Sequence, residues 1–373
     1  MKQEIKKIIR AFLKSYHAHK QELFYKKLLR LNHFPNRRQP SEYAWLKKWS
    51  GLGMKVNPVY YRLFYHYVGE DMNIMPEDIS HDVIEPLLNP LRFTKYYADK
   101  NIFDRLFPYE YLPRTILRRM NGFWYDAQYN RLQLDNIQLM LILNEANADK
   151  LIVKPTIEGM SGRGIMMLYK EESRWKYAGQ EVNIDIFLQK GANFIIQECV
   201  LQHQYISQFN PSSVNTLRLT LYRSVKTDEC VVTSAIMRIG GKGSVVDNAH
   251  AGGGYIGINV ENGKLYHKVL DQWGESREVF NEIDFRLDYA LPHWDRVLDF
   301  AKSIGNYVPH HRLLALDLVL DKDGNPKLIE FNVEYYSAWL FQFTTGGALG
   351  KYTDEIIEYC REHLSSLEYQ LLI

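Results

Sequence analysis

Cysteine is nearly absent: Cys199, Cys230 and Cys360 are the only three in 373 residues, too few and too scattered for a disulfide framework or a thiolate zinc site. They fit a reducing, cytoplasmic compartment. Net charge is almost missing too, since 46 Lys and Arg against 44 Asp and Glu leave +2, and no protein-wide field advertises nucleic acid as a partner. No apolar run reaches the roughly 18 residues needed to span a bilayer. Lys2, Lys6, Lys7, Arg10 and Lys14 interrupt the stretch where a secretory leader would place its apolar core. There is no internal repeat and no low-complexity linker. What remains, at 46% hydrophobic residues, is a chain able to bury a sizeable core, in about two or three packed units by length.

The near-zero sum conceals an uneven distribution. Residues 1–50 hold thirteen Lys and Arg against three Asp and Glu, a local +10, so the rest of the chain sums to −8. Residues 1–31 combine that charge with apolar residues at helical spacing: Ile5, Ile8, Ile9, Phe12, Leu13, Tyr16, Leu23, Phe24, Leu28 and Leu29. Such a helix either docks on the protein's own core with its basic face in water, or lies against the inner face of a membrane. Helical, Tyr-rich patterning continues to about residue 98. From about 149 onward, short β-like runs at 151–153, 194–196, 217–221, 231–232, 313–320 and 328–333 alternate with helical stretches near 133–147, 293–304 and 352–366. This pattern predicts an α+β fold with substantial antiparallel sheet.

Near the C-terminus Leu314, Leu316, Leu318 and Leu320 alternate with Ala315, Asp317 and Val319, the period of a half-buried strand. A turn-rich segment, 321–326, leads into a second run with Ile329, Phe331 and Val333 on one face and Leu328, Glu330 and Asn332 on the other. If Asp323-Gly324 forms a two-residue hairpin turn, Leu318 meets Ile329 and Leu316 meets Phe331 on the core face. The same register sets Asp317 opposite Glu330, their side-chain roots about 5 Å apart. Facing carboxylates repel unless a cation or a shared proton lies between them. Mg²⁺ suits such an oxygen-only site, as does, without any metal, an exposed hairpin edge carrying solvated charges. His310-His311 before this strand reads as a solvated cap.

A second segment, 154–164, runs Lys-Pro-Thr-Ile-Glu-Gly-Met-Ser-Gly-Arg-Gly between two β-like runs. Its glycines allow backbone N–H groups to converge on phosphate oxygens beside the charge of Lys154. No Gly-Lys-Ser/Thr and no following helix are present, so it is neither a Walker loop nor a dinucleotide fingerprint. It is either a phosphate cradle or a simple Gly-rich hairpin.

In this order the segments resemble the ATP-grasp enzymes, and among them the sugar-transfer-associated, ribosomal-protein glutamate ligase-like branch, from about Asp99 to the C-terminal helix. The resemblance implies two α+β lobes gripping ATP: a helical N-terminal region at 1–98, a small lobe at 99–196 and a large lobe at 197–373. It implies that Lys100 and Lys154 hold phosphates, under a lid containing Gly159, Ser161, Gly162 and Gly164. Glu198 and the backbone of Val200 match the adenine-binding hinge, with Gln204 where relatives often carry an acidic ribose ligand. Arg238 and Asn248 match positions at the transferring phosphate, and Asp317, Glu330 and Asn332 match the Mg²⁺ triad. Past the triad this chain reads Val333-Glu334-Tyr335-Tyr336-Ser337 where relatives commonly continue Asn-x-x-Pro-Gly, so the acceptor pocket is its own.

The activity so implied is an ADP-forming carboxylate–amine ligase using ATP and Mg²⁺, joining an amino acid or amine to a sugar acid in surface-polysaccharide synthesis through an acyl phosphate. A non-catalytic nucleotide-binding adaptor of a glycan assembly complex, or a kinase on the same fold, are the alternatives. Arg218 is a candidate carboxylate clamp or a buried structural ion pair, and His250, beside the glycine run 252–254, is a further substrate candidate.

Overall fold

The computed structural model describes residues 2–157, 164–244, 252–334 and 336–370, with side chains among them from 15 to 367. Short apolar runs separated by Gly, Asn and Asp fold into strands of two antiparallel sheets. The first contains β1 (Thr115–Met120), β2 (Phe123–Asp126), β3 (Arg131–Leu132), β4 (Lys150–Pro155), β5 (Met166–Glu171), β6 (Arg174–Tyr177), β7 (Gln180–Glu181) and β8 (Phe194–Glu198), in the order β3-β2-β1-β8-β4-β5-β6-β7. The second contains β9 (Thr216–Arg223), β10 (Cys230–Ile239), β11 (Gly254–Ile258), β12 (Leu265–Leu270) and β13 (Ser276–Arg277). A separate small hairpin, β14 (Val279–Phe280) and β15 (Ile283–Asp284), precedes its last two strands, β16 (Leu313–Leu320) and β17 (Pro326–Asn332). Their order is β13-β12-β11-β10-β9-β16-β17.

Each sheet buries its apolar side chains under helices. On the first, the helix Asn136–Glu145 starts where Asp135 and Gln138 exchange side-chain and backbone hydrogen bonds, and it inserts Leu139 and Leu143 against Leu151, Val153 and Ile196. The second sheet is covered on both faces. The helix Trp294–Tyr307 contributes Val297, Ala301 and Ile304 to one face, while Trp45, Tyr60, Phe64 and Ile84 from the N-terminal helices share the other with Tyr222, Ile236 and Leu313. Among the described residues, those of this cluster from Tyr25 to Leu88 therefore share their core with the sheet and form its outer layer, whereas Phe93 and Tyr97 join the cluster on the opposite face. β16 is not half-buried as expected, because all eight of its residues are buried: Leu313 and Ala315 against the N-terminal helices, Leu314, Leu316, Leu318 and Leu320 in the opposite cluster, and Asp317 in the wall of a cavity.

The hairpin that carries the facing carboxylates differs from its expected turn. Asp321 and Asn325 close a five-residue loop in which Asp321 Oδ1 accepts hydrogen bonds from the backbone N–H groups of Asp323 (3.0 Å) and Asn325 (2.8 Å). Gly324 holds the left-handed conformation there, at φ +79°. The longer loop pairs Leu318 with Leu328, not with Ile329, and a bulge at Ile329 then restores the expected pairing of Asp317 with Glu330 and Leu316 with Phe331. Leu328 takes the core position and Ile329 turns to the opposite side. His311 is buried, not a solvated cap; burial, with His310 adding its charge, pushes its imidazole down to about 4.

Candidate active site

Both sheets contribute to the lining of a cavity of about 1070 Å³. On β4 the two-residue period sends Leu151 and Val153 into the core and Ile152 and Lys154 to the cavity. Burial, reinforced by the positive charge of Lys100, pushes the Lys154 ammonium down to about 8, against the opposing pull of Glu330. Lys100 is stitched to the end of the same strand: its backbone N–H donates to the Thr156 carbonyl (3.1 Å), and the Asn101 amide donates to Thr156 Oγ1 (3.1 Å). The two lysines are thus held by one local frame.

That frame has a foundation which sequence reasoning missed. Arg118 on β1 is fully buried, donates to the Asn101 carbonyl (2.6 Å), pairs with Asp104 and lies with its guanidinium 3.9 Å over the Tyr129 ring. Tyr129 donates to the same carbonyl (2.7 Å). The available signal was Arg118 directly after the apolar pair Ile116-Leu117 in a strand, a position that demands partners if it is buried.

Across the cavity, one row runs over three strands of the second sheet. Glu330 on β17 pairs with Asp317 on β16, which pairs with Arg218 on β9. Arg218 grips Asp317 through both carboxylate oxygens, at 2.8 and 2.7 Å, and Arg238 Nη1 approaches at 3.4 Å. Burial alone would raise the Asp317 carboxyl, but the Arg218 and then the Arg238 guanidinium hold it below its ordinary value. Of the two readings of Arg218, the buried ion pair is the one formed. Lys100 Nζ reaches Glu330 Oε1 at 2.8 Å. Asn332 is opposite Ala315, two residues beyond Glu330, and its side-chain nitrogen is buried without a hydrogen-bond partner. Among the described residues no three His, Cys, Asp or Glu side chains form a metal-binding group. Two carboxylates, each already beside a cation, and an amide oxygen fit a hard divalent ion completed by phosphate oxygens and water.

At the connection between the sheets, Glu198 and Val200 line the cavity, and Glu198 accepts a hydrogen bond from Arg114 (2.9 Å). Gln204 does not line it; it is exposed at the start of the helix Gln204–Ser207. Gln202 lines the wall instead, where its amide donates to the Ser213 carbonyl (2.8 Å) and accepts from the Asn215 N–H (3.0 Å). Cys199 also lines the cavity, and burial pushes its thiol up to about 11.

A family model described as sugar-transfer associated ATP-grasp matches residues 80–357. The chain belongs to that family. No curated protein matches it by sequence. Among solved structures, the ATP-grasp chain is similar to an ADP complex of N5-carboxyaminoimidazole ribonucleotide synthetase, at 14% identity and TM-score 0.37 over 68% of this chain and 51% of that one. It is similar to the biotin carboxylase domain of Hydrogenobacter thermophilus 2-oxoglutarate carboxylase, solved with MgADP and bicarbonate, at 10% and 0.43 over 73% and 48%. It is also similar to D-alanine–D-alanine ligase from Bacillus anthracis, at 12% and 0.37 over 73% and 69%. The chain spans about half the length of the first two.

Of the residues matched to the ATP-grasp pattern, Lys100, Lys154, Glu198, Val200, Arg238, Asp317 and Glu330 line this one cavity. Gly164 follows at its edge with φ +76°, where a Cβ would meet the Pro155 ring at 3.0 Å. Gly159, Ser161, Gly162, Asn248 and His250 lie outside the described residues.

Proposed function

We propose that this ATP-grasp protein is an ATP- and Mg²⁺-dependent, ADP-forming carboxylate–amine ligase, joining an amine or amino acid to a sugar acid of a cell-surface polysaccharide. The observation that carries the reading is the meeting, in one cavity, of two lysines (Lys100 and Lys154) with the facing carboxylates of Asp317 and Glu330. The family's sugar-transfer association supports the class of acid.

In this reading Lys100 and Lys154 hold the triphosphate, and positioning with charge neutralisation supplies most of the catalysis. Glu198 and Val200 border the space for the base. The acceptor carboxylate oxygen attacks the γ-phosphorus, the bond to the β,γ-bridging oxygen breaks, and ADP leaves. Arg238 steadies the phosphate of the acyl phosphate. The amine then attacks the acyl carbon, phosphate departs, and the ammonium formed gives up its proton to leave an amide. Mg²⁺ held by Asp317, Glu330 and Asn332 would supply Lewis-acid neutralisation of phosphate charge.

The test incubates the protein with ATP, Mg²⁺ and pools of sugar acids and amines, following ADP, phosphate and product mass. A ligase yields ADP, phosphate and a condensed product together. Phosphate retained on an alcohol would select a kinase, and nucleotide binding without turnover across the pools would select an adaptor. Glu330→Gln is expected to abolish turnover and keep the fold.

A further inference from the structure

We propose that the outward face of the helix Lys2–Leu31, together with Trp273, is a docking surface for an anionic lipid bilayer. The inference is independent of the ligase reading. The helix is 30 residues long, yet among its described side chains only those near its C-terminal end enter the core: Tyr25, Leu28 and Leu29 are at most 2% exposed. Tyr25 meets the Tyr60 ring edge-on at 4.5 Å, and Asn32 just beyond the helix donates to the Trp273 carbonyl (2.8 Å). These contacts fix which side faces the body.

The expected single apolar stripe is therefore split in two. At 100° per residue, Leu23 lies about 20° from Tyr16 and about 160° from Tyr25. Tyr16 is 56% exposed, Leu23 51%, Phe24 40% and Leu31 50%. In sequence, Phe12, Ile9 and Ile5 continue the Tyr16 spacing toward the N-terminus. Trp273 is also partly open to solvent, and the Lys27 ammonium lies 4.3 Å over its ring. Lys27 is about 40° from Leu23 around the helix, so an indole capped by a lysine is joined to the face that carries the exposed Leu23, the side-chain set that lodges at a headgroup boundary.

Charge selects the occupant. The helix carries nine Lys and Arg against two Glu, and one of these, Glu22, is already engaged by Lys26 at 2.5 Å. A second copy would bring the same positive face and repel. No helix among the described residues is long and apolar enough to cross a membrane, so the contact is with the surface of the bilayer. Anionic headgroups match the lysines while Leu23 and Phe24 enter the acyl boundary.

Co-sedimentation of the full chain tests this with vesicles of phosphatidylcholine alone and with phosphatidylglycerol added, at low and high salt. Binding is expected only with the anionic lipid, weakening as salt rises. Leu23→Ser combined with Phe24→Ser should weaken it about tenfold or more, the scale set by burying two such side chains. Lys20→Glu should weaken it as well, and since all three side chains are exposed, thermal unfolding should match the parent. Absence of binding to anionic vesicles, or equal binding by the serine variant, overturns the proposal. So does a protein dimer in solution that the serine variant dissolves, because the face would then belong to a second copy.

Discussion

The Lys100 ammonium lies 2.8 Å from Glu330 Oε1. The residue matched to the phosphates and a residue matched to the metal thus neutralise each other across the join between the sheets. A divalent ion at Glu330 competes with this pair, whereas a nucleotide that draws Lys100 to its phosphates relieves it. Lys100→Met is therefore expected to tighten Mn²⁺ binding to the nucleotide-free protein about tenfold, a modest share of a close charge–charge interaction, while weakening ADP binding. Calorimetric titration with each ligand separately measures both. Unchanged Mn²⁺ affinity in the variant would remove Glu330 from the metal site.

Lys154 supplies a pH dependence. Burial and the neighbouring charge of Lys100 lower its ammonium to about 8, and bound phosphates favour the protonated form. Nucleotide affinity should thus be level below about pH 8 and fall toward tenfold per pH unit above it, with proton uptake on binding near that pH. Titration of ADP in buffers of different ionisation enthalpy reads the uptake directly. Lys154→Met should weaken binding at all pH values and flatten the profile.

Removing Arg218 leaves a buried carboxylate with Arg238 Nη1 at 3.4 Å as the cation beside it. The cost expected for Arg218→Ala is about 3–5 kcal/mol, seen as a lowered denaturant midpoint. Arg218→Lys keeps the charge but loses the two-pronged geometry, so it should fall between. The double variant Arg218→Ala with Asp317→Ala should cost less than Arg218→Ala alone, since the stranded charge is gone.

The legibility of this fold in its sequence varied with how local the cause was. Short apolar runs located β4, β8 and β9, and alternation located β16 and β17. The pairing of Asp317 with Glu330 was legible although the turn was not. The five-residue loop and the Ile329 bulge shift the register by equal and opposite steps. The covering of Leu313 and Ala315 by the N-terminal helices was hidden, because Trp45 and Tyr60 lie more than two hundred positions away. Sequence separation also concealed what Arg218 does, since its partner is 99 residues away. Gln204 was placed by counting from Glu198, and the chain instead turns at His203, whose ring accepts the Tyr205 N–H, leaving Gln202 in the wall. The split of the N-terminal stripe depends on Tyr60 and Phe64, which spacing within the helix itself could not reveal.

Behind the second sheet, Asp78 offers a stability test remote from the cavity. Burial, with Asp82 and Glu77 adding negative charge, raises its carboxyl to about 6. His81 nearby offers no compensating titration: although burial disfavours its charge, Glu77 and Glu85 raise it to about 11, so it stays cationic throughout. A carboxyl raised on folding favours the folded state while protonated. That contribution is full below the ordinary Asp value near 4 and is lost as pH rises through about 6. At neutral pH the charged carboxylate is therefore a net cost, on the order of 3 kcal/mol for a shift of this size. Asp78→Asn can keep the acceptor for the Ile79 N–H, now at 2.9 Å. It is expected to raise the melting temperature at pH 7 and above, with the gain shrinking toward pH 4. A gain of equal size at both ends of that range would mean the effect is packing rather than ionisation, because only a titrating group ties the benefit of its removal to pH.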